Sequence, residues 1–206
     1  MKYASLAAVL GGLSMLATPA LSEEIAIALH VEPSNEMYQL AERVKAEIEE
    51  QSGGRLTVTL LGQEVGGERD QIEATSAGEY QIVLGGSVPM AIYAPEYAAS
   101  DLPFVWSSSD EARKIYQGDL GDKIQEQFAA NGNLHLLGLS LRNPRNLTAN
   151  KPVMTPDDVE GARLRVPEIT AWVKVWTEEG ALPSPIAWPE VYTSLQTGVI
   201  EMQENP

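Results

Sequence analysis

The segment IAIALHVEPSNEMYQLAERVKAEIEEQSGGRLTVTLL, residues 25–61, decides the fold class because its hydrophobic period changes twice. Residues 25–31 form a short apolar run bounded by polar residues, which predicts a buried strand. Apolar residues then recur at helical spacing, and Gly53-Gly54 ends the predicted helix. Residues 56–61 return to the alternation that is typical of a strand. Strand, helix and strand in succession favour an α/β fold with a mostly parallel sheet.

The alternation of strands and helices continues on the C-terminal side of this segment. Gly66-Gly67 introduces a predicted helix that extends to Ala77. Residues 89–106 are rich in Pro, Tyr and Ala and predict loops and short turns. The remaining predicted strands lie at residues 80–84, 134–141, 163–166 and 199–203, and the remaining helices at residues 109–130, 169–179 and 189–197.

A change in character near residue 142 indicates two lobes. Residues 142–150 are polar and extended, and Thr155 is the predicted N-cap of a short turn or helix. We therefore expect a first α/β lobe over residues 23–141 and a partial second α/β lobe over residues 142–206. The Asn205-Pro206 turn signal directly follows a predicted strand, so we expect a fold that is incomplete at the C-terminus.

Residues 1–22 have the pattern of a secretory signal peptide. Lys2 precedes a run of apolar and small residues without charge before Glu23, and Ala20-Leu21-Ser22 fits a cleavage site. The alternative is a membrane anchor, which needs about 20 strongly apolar residues, whereas glycine, serine, threonine and proline dilute this run. We expect cleavage and a periplasmic location.

Composition excludes several kinds of partner and site. The chain has 14 Lys or Arg residues, 29 Asp or Glu residues and a net charge of −15 at pH 7. Nucleic acid binding needs a basic face, so we expect no nucleic acid partner, and an anionic membrane surface is disfavoured for the same reason. The chain has no cysteine, which excludes disulfides, thiolate metal sites and a cysteine nucleophile.

The sequence lacks the motifs of common enzyme classes. His30 and His135 each lie in an apolar run, where a histidine is more often structural than catalytic. No G-x-S-x-G nucleophile elbow, phosphate loop or dinucleotide fingerprint is present, and no calcium-loop spacing is visible. The abundant carboxylates leave an acid–base pair open. We expect a protein that binds without cofactor, metal or catalytic residues.

Arginine is the residue type that would hold an anion in so acidic a chain. Arg145 lies in the polar segment that opens the second lobe, and Arg165 lies in the predicted strand at residues 163–166. A guanidinium binds a carboxylate through two parallel hydrogen bonds, but a surface ion pair is the alternative for each arginine. Periodicity does not choose between Arg163 and Arg165, since side chains two residues apart share a face of a strand.

Two long motifs resemble the substrate-binding proteins of tripartite ATP-independent periplasmic (TRAP) transporters, of the dicarboxylate-binding-protein-like family. They are DVEGARLRVP at residues 158–167 and WPEVYTSLQTGVIEMQENP at residues 188–206. SGGRLTV at residues 52–58 and LGQEVGGE at residues 61–68 fit the same pattern. The resemblance covers essentially the whole mature chain, and the combination of motifs in this order is specific.

The resemblance implies a type II-like solute-binding fold, in which two α/β lobes joined by hinge strands and a long helix close over a carboxylate ligand. It implies that Arg165 grips the ligand carboxylate, that Asn205 helps to bind it and that Arg145 is a second contact. Glu68 matches a position of the first lobe that often faces the ligand.

Two aromatic residues, Trp188 and Tyr192, lie near cleft positions of the family, and a role in the core is the alternative for both. Members of the family also continue beyond the position of Asn205-Pro206. The resemblance therefore implies that a further part completes both lobes and the hinge.

We interpret the chain as a monomeric extracytoplasmic solute receptor that binds a small organic acid, such as a dicarboxylate or sugar acid, and delivers it to TRAP membrane permease subunits. A ligand-binding protein that feeds a sensor kinase is the first alternative. A periplasmic hydrolase is the second, although it would need an activated nucleophile beside a base. The polar residues Arg142, Asn143 and Asn146 favour a hydroxylated or doubly anionic acid.

The signal-peptide pattern predicts export and processing. Mass spectrometry of the periplasmic fraction is expected to find a mature N-terminus close to Glu23. A protein that retains Met1 and stays in the cytoplasm would contradict this prediction.

Overall fold

The computed structural model describes residues 23–140 and 142–206. The predicted signal peptide at residues 1–22 lies outside the described residues, as does Leu141, the last residue of one predicted strand. No helix in the described ranges is long and apolar enough to cross a bilayer.

The described residues contain seven strands and seven α-helices, with 3₁₀ turns at Gln63–Val65, Pro95–Asp101 and Pro156–Val159. The strands are β1 (Glu23–Leu29), β2 (Leu56–Leu61), β3 (Ile82–Leu84), β4 (Asn146–Ala149), β5 (Arg163–Val166), β6 (Leu182–Pro185) and β7 (Met202–Asn205). The helices are α1 (Glu36–Gln51), α2 (Glu68–Ser76), α3 (Val88–Tyr93), α4 (Ser109–Tyr116), α5 (Asp119–Gly132), α6 (Thr170–Glu178) and α7 (Trp188–Gln196).

The first sheet confirms the α/β prediction made from residues 25–61. Its strand order is β2-β1-β3, and both pairings are parallel. The helix α1 crosses from β1 to β2 and starts where the Asn35 side chain accepts a hydrogen bond from the Met37 backbone N–H at 3.0 Å. A side-chain acceptor at this position satisfies one of the free N–H groups of the first helical turn. The central strand β1 is the most buried, with Ile27, Ala28 and Leu29 fully buried.

The second sheet has the order β4-β7-β5-β6. The strands β5, β6 and β7 run parallel, whereas β4 pairs antiparallel with β7, with Asn146 opposite Asn205. The start of β4 therefore lies at the same end of the sheet as the carboxyl ends of the three parallel strands. This arrangement brings residues before β4 to the edge where the other strands end.

The largest hydrophobic cluster joins elements from both sides of residue 142. It includes Ile72, Phe128, Leu164, Trp172 and Met202, which come from α2, α5, β5, α6 and β7. Each sheet is built from only one side of this position, but this cluster contains residues from both sides, and a smaller cluster of Leu29, Val31, Met37 and Ala41 lies beside it. The expected division at residues 141 and 142 stays a prediction.

Strand β6 is absent from the sequence-based expectation because two of its four residues are proline. The sheet order places β6 at an edge, where proline is tolerated because one side of the strand needs no donors. The Leu182 N–H donates to Ala162 O and the Ile186 N–H donates to Val166 O. Pro183 and Pro185 alternate with these donors, so their missing N–H groups fall on the outer side of the strand.

The strand predicted at residues 134–141 is wrong over its described part, because residues 134–140 have no regular secondary structure. Leu137 is 79% exposed, so the apolar residues here do not enter a sheet. The Leu136 N–H donates to the Gln125 side chain on α5 at 2.5 Å instead of to a neighbouring strand.

Two further boundaries differ from the expectation. Residues 89–106 were expected to form loops and short turns but contain α3 and a 3₁₀ segment, because Pro89 suits the first helical turn while Met90 and Tyr93 are buried. The last strand is shifted toward the C-terminus relative to residues 199–203, so that β7 contains both Glu204 and Asn205.

A tight turn between β2 and α2 depends on one buried amide. Gly66 has a φ of +105°, and a side chain there would collide with Asp70, whose carboxylate accepts from the Gly67 N–H at 3.0 Å. The fully buried Gln71 spans the turn, and its Nε2 donates to the carbonyls of Gly62 and Gly66 at 3.0 Å each. This amide fixes the start of α2.

The buried amide gives a stability prediction. Gln71→Ala removes the donor from two carbonyls, and each buried unsatisfied group costs about 1–3 kcal/mol, so we expect the free energy of unfolding to fall by about 2–4 kcal/mol in urea denaturation. The control is Gln39→Ala, an exposed position on α1, for which a change within about 0.5 kcal/mol is expected. Equal effects of the two substitutions would show that the turn does not depend on Gln71.

Candidate functional site

The carboxyl ends of the parallel strands of both sheets converge on one cleft. Its cavity volume is about 730 Å³, and it is lined by residues that end or follow β1, β3, β5, β6 and β7. His30 follows β1, Gly85-Gly86 follows β3, and Asn205 ends β7. In open α/β sheets, ligands bind outside the carboxyl ends of the strands, and the volume suits a small molecule.

Five of the six predicted ligand contacts line this cleft. They are Glu68, Arg145, Arg165, Trp188 and Asn205. The sixth, Tyr192, is 76% exposed on α7 and is not among the residues that line the cleft. Trp188 and Tyr192 are four residues apart, but Trp188 is the first residue of α7 and packs inward. The structure thus brings the first five together and leaves Tyr192 outside.

Arg165 is buried in the cleft wall at 4% relative exposure. Its Nε donates to Ile186 O at 2.8 Å, and its guanidinium lies 5.9 Å from the centre of the Trp188 ring. Among residues 23–140 and 142–206, no carboxylate oxygen lies within 4.0 Å of this guanidinium. The terminal nitrogens of Arg165 therefore have no carboxylate partner among these residues.

Arg165 is charged at neutral pH, and the neighbouring carboxylates offset only part of the cost of burying that charge. Burial lowers the pKa of Arg165 to about 10, with Glu204 acting against this effect and Arg145 adding to it. A pKa of about 10 leaves the group protonated at neutral pH. A buried charge without a close partner costs free energy, and a carboxylate ligand would remove that cost.

Position along β5 separates Arg165 from Arg163. Arg163 lies at the exposed start of β5, where its guanidinium contacts Glu201 at 3.1 Å and its Nε donates to Val199 O at 3.2 Å. Arg165 lies about 6–7 Å further along the strand, toward the cleft. The same face of one strand therefore carries a surface ion pair at one end and a buried cation at the other.

Arg145 has a counter-ion inside the protein. Its guanidinium forms a two-pronged pair with the buried Glu204 carboxylate, with Nε on one oxygen and Nη2 3.0 Å from the other. The same Nη2 also donates to Glu204 O at 2.7 Å and Asn205 Oδ1 at 3.1 Å. The guanidinium stacks 4.8 Å from the Trp172 ring. Arg145 is thus held in place and its charge is balanced.

Glu68 projects from the first turn of α2 toward the loop after β3. Its Oε1 accepts from the Gly86 N–H at 2.5 Å. A Cβ at Gly85 would lie 3.2 Å from that oxygen, so the two glycines permit the close approach. The Glu68 side chain is 14% exposed, which leaves part of the carboxyl group facing the cleft.

The contact between His30 and Glu68 is not an ordinary ion pair. His30 Nε2 lies 3.8 Å from Glu68 Oε2. Burial lowers the pKa of His30 to about 4, and the Arg142 and Arg165 charges act in the same direction. Burial raises the pKa of Glu68 to about 7, although the backbone N–H groups of Gly86 and Val88 favour its carboxylate form. At neutral pH the imidazole is neutral and Glu68 is close to its titration midpoint.

Trp188 connects the second sheet to the first. Its Nε1 donates to Glu32 Oε2 at 3.3 Å, and its ring packs on the cluster that contains Leu29 and Met37. The ring also stacks near Arg165. Trp188 is therefore a packing residue that also lines the cleft, and its contact with a ligand stays a prediction.

The cleft also contains polar residues that sequence reasoning did not select. Asp101 lines the cleft, burial raises its pKa, and its Oδ2 is buried without a hydrogen-bond partner in the described part of the chain. His30 Nδ1 is also buried without a hydrogen-bond partner among the described residues. Glu204 is the counter-ion of Arg145. Only Glu204 had a sequence signal, because it adjoins Asn205 in the second motif.

No group of three or more His, Asp or Glu side chains in the described ranges is arranged to hold a metal ion. Among these residues, no serine hydroxyl is hydrogen-bonded to a histidine; the His135 ring instead faces the Gln125 amide at 3.3 Å.

Comparisons with known proteins agree with this geometry. A solute-binding protein of Roseobacter denitrificans is 31% identical over 208 residues, which cover 100% of this chain and 64% of that protein. A TRAP periplasmic solute-binding protein of the same organism, solved with bound L-galactonate, has a TM-score of 0.82 at 29% identity and is matched over 62% of its chain. The chain thus spans a little over 60% of the length of these relatives.

Other relatives have different ligands. A TRAP periplasmic solute-binding protein of a Polaromonas species, solved with D-erythronate, has a TM-score of 0.83 at 27% identity, with 90% of this chain and 61% of that chain covered. A C4-dicarboxylate-binding periplasmic protein of Rhodobacter capsulatus is 27% identical over 199 residues, which cover 93% of this chain and 58% of that protein.

The model of one protein family, described as bacterial extracellular solute-binding protein, family 7, matches residues 27–206, which is nearly all of the described chain. The fold, the cleft and this match lead to the same assignment: the chain belongs to the bacterial extracellular solute-binding proteins of family 7.

Proposed function

We propose that the protein is an extracytoplasmic solute receptor that binds a small organic acid in the cleft and delivers it to a TRAP membrane permease. One observation carries the proposal: the buried Arg165 guanidinium in the cleft has no carboxylate partner among the described residues. A ligand carboxylate is the group that such a fork binds best.

The roles of the surrounding residues follow from their contacts. Arg165 pairs with the ligand carboxylate, and Trp188 covers the guanidinium from one side. Arg145 is held by Glu204 and positions Asn205, whose amide completes the carboxylate site. Glu68 contacts the ligand from the opposite wall. Family membership and the relatives with bound galactonate and erythronate support these roles.

Ligand binding drives domain closure only if the ligand contacts both sides of the cleft, because only a difference in affinity shifts a conformational equilibrium. Arg165 belongs to the second sheet and Glu68 to the helix that follows the first, so one ligand between them meets this condition. The closed receptor then docks on the permease as a monomer.

The protein acts without catalysing a reaction in this proposal. A hydrolase would need a base that accepts a proton from a nucleophile, whereas His30 is buried beside Glu68 and its pKa is lowered by burial. A receptor for a sensor kinase would bind its ligand in the same cleft. It would differ from a transport receptor in the surface that contacts its protein partner. Pull-down with the permease of the host, with and without the acid ligand, separates the two.

Substitution of Arg165 tests the carboxylate site. Truncation of one partner of a buried charge pair costs about 2–5 kcal/mol, so Arg165→Ala is expected to weaken binding of the cognate acid by about 30-fold to several-thousand-fold at about 1.4 kcal/mol per tenfold. Arg165→Lys keeps the charge but loses the second hydrogen bond, which predicts an intermediate loss. Isothermal titration of the mature protein measures both.

Arg163→Ala is the matched control, since Arg163 is exposed and pairs with Glu201 outside the cleft. Its affinity is expected to change by less than about threefold, because exposed pairs contribute little. Near-normal binding by Arg165→Ala, or a larger loss for Arg163→Ala, would mean that the wrong arginine has been assigned.

The titration of Glu68 gives a pH-dependent stability prediction. The folded-state pKa of Glu68 is raised to about 7 from an ordinary value of 4.5 by burial, so folding favours its neutral form and stability falls as pH rises between these values. Glu68→Gln removes this penalty. In the absence of ligand, we expect the free energy of unfolding at pH 8.5 to rise by about 3 kcal/mol, since a shift from 4.5 to about 7 corresponds to about 3.4 kcal/mol at 1.36 kcal/mol per pKa unit, with little change at pH 4.

The comparison of the two pH values is the internal control for Glu68→Gln. A gain in stability at pH 8.5 with little change at pH 4 is expected for a residue that is retained for ligand binding at the expense of stability. A loss of stability at both pH values would instead identify Glu68 as a structural anchor of the Gly86 loop and remove it from the ligand site.

A further inference from the structure

The charges that line the cleft restrict which chemical groups a ligand can have in addition to one carboxylate. Three arginines line the cleft: Arg142, Arg145 and Arg165. Arg145 is neutralised by the buried Glu204 carboxylate, and Arg142 pairs with Glu36 at 3.0 Å. Within the described part of the chain, Arg165 is the one of the three without a carboxylate partner. The cleft therefore has one guanidinium available for one carboxylate.

The wall opposite Arg165 is acidic. Glu68 and Asp101 both line the cleft, and the Asp101 charge adds to the burial that raises the pKa of Glu68. Charges in a partly desolvated cleft interact more strongly than in water. A second ligand carboxylate placed near this wall would meet like charges, and like-charge juxtaposition in a binding site costs several kcal/mol.

A hydroxyl group suits the same wall. A hydroxyl donates to a carboxylate or a neutral imidazole nitrogen and accepts from a protonated carboxyl group, so it satisfies Glu68 in either protonation state. The cavity volume of about 730 Å³ accommodates a chain of several hydroxylated carbons.

We infer that the cleft selects a hydroxylated monocarboxylate, of the aldonate type, and rejects the dicarboxylate of the same carbon chain. The inference rests on the proposed receptor function and names its substrate class. The first carboxylate binds Arg165, and the hydroxylated tail faces Glu68, His30 and Asp101. The acidic wall repels the second carboxylate of a diacid. Arg145 does not bind that carboxylate, because it is already paired with Glu204.

Matched pairs of acids test the inference directly. L-Galactonate and galactarate differ only in a terminal hydroxymethyl group against a carboxylate, and D-erythronate and meso-tartrate form the corresponding four-carbon pair. Isothermal titration of the mature protein at pH 8, where Glu68 is mostly ionised, is expected to show the better monoacid binding at least about 30-fold more tightly than its diacid. At pH 6 the ratio is expected to shrink by about threefold or more.

Two charge variants and a control locate the origin of the selectivity. Asp101→Asn removes a charge from the acidic wall and is expected to reduce the monoacid-to-diacid ratio at pH 8 by about fivefold or more. Glu204→Gln releases Arg145 and is expected to shift the ratio in the same direction. Glu79→Gln removes one charge at an exposed position that does not line the cleft and is expected to leave the ratio within about twofold.

The outcomes separate the two levels of the proposal. Equal or tighter binding of a diacid by the unaltered protein overturns the monocarboxylate inference and leaves the receptor function standing. Unchanged selectivity in both Asp101→Asn and Glu204→Gln also overturns it, because the acidic wall would not be its source. Failure of every aldonate to bind, with binding of another organic acid, overturns the inference alone, whereas failure of a panel that also contains aldarates, C4-dicarboxylates, uronates and oxo acids overturns the receptor function and the inference with it.

Discussion

A positive charge that is buried without its own counter-charge constrains the rest of this site. The protein keeps the Arg165 guanidinium at 4% exposure with one backbone acceptor and one aromatic ring beside it. That setting costs free energy in the absence of ligand, so the surrounding fold must hold the residue rigidly. The parallel strand β5 supplies the rigidity, because it pairs on both sides, with β6 and β7, and carries the arginine to their common carboxyl end.

Arg145 and Arg165 are the same residue type with opposite environments. The antiparallel strand β4 begins beside the end of β7, so Arg145 meets Glu204 and Asn205 by register. Its charge is used internally to hold those two residues. Arg165 has no carboxylate within 4.0 Å among the described residues. Arg145 is thus held in an internal ion pair, whereas Arg165 is the arginine that we propose for the ligand in a chain with a net charge of −15.

The sequence predicts the α/β class and most elements because residues 25–61 and the later helices have clear periodicity and end signals. It fails where tertiary position overrides local pattern. Pro183 and Pro185 conceal a strand that an edge position permits, and the apolar residues near Leu137 suggest a strand that does not form among residues 134–140. The motifs lead to five residues of the cleft, but Asp101 and His30 come from loops and strand ends whose convergence no local pattern encodes. Periodicity also gives Arg163 and Arg165 the same face; the family resemblance favours Arg165, and burial in the structure separates the two residues.

The two prolines of β6 affect whether another chain can pair with the outer edge of this strand. Their alternation with the N–H donors of Leu182 and Ile186 leaves the outer side of the strand without donors at Pro183 and Pro185. An exposed strand edge ordinarily invites pairing with another chain, and a missing row of donors prevents that ladder from forming. Within the described residues, this edge of the sheet therefore resists strand addition from another chain.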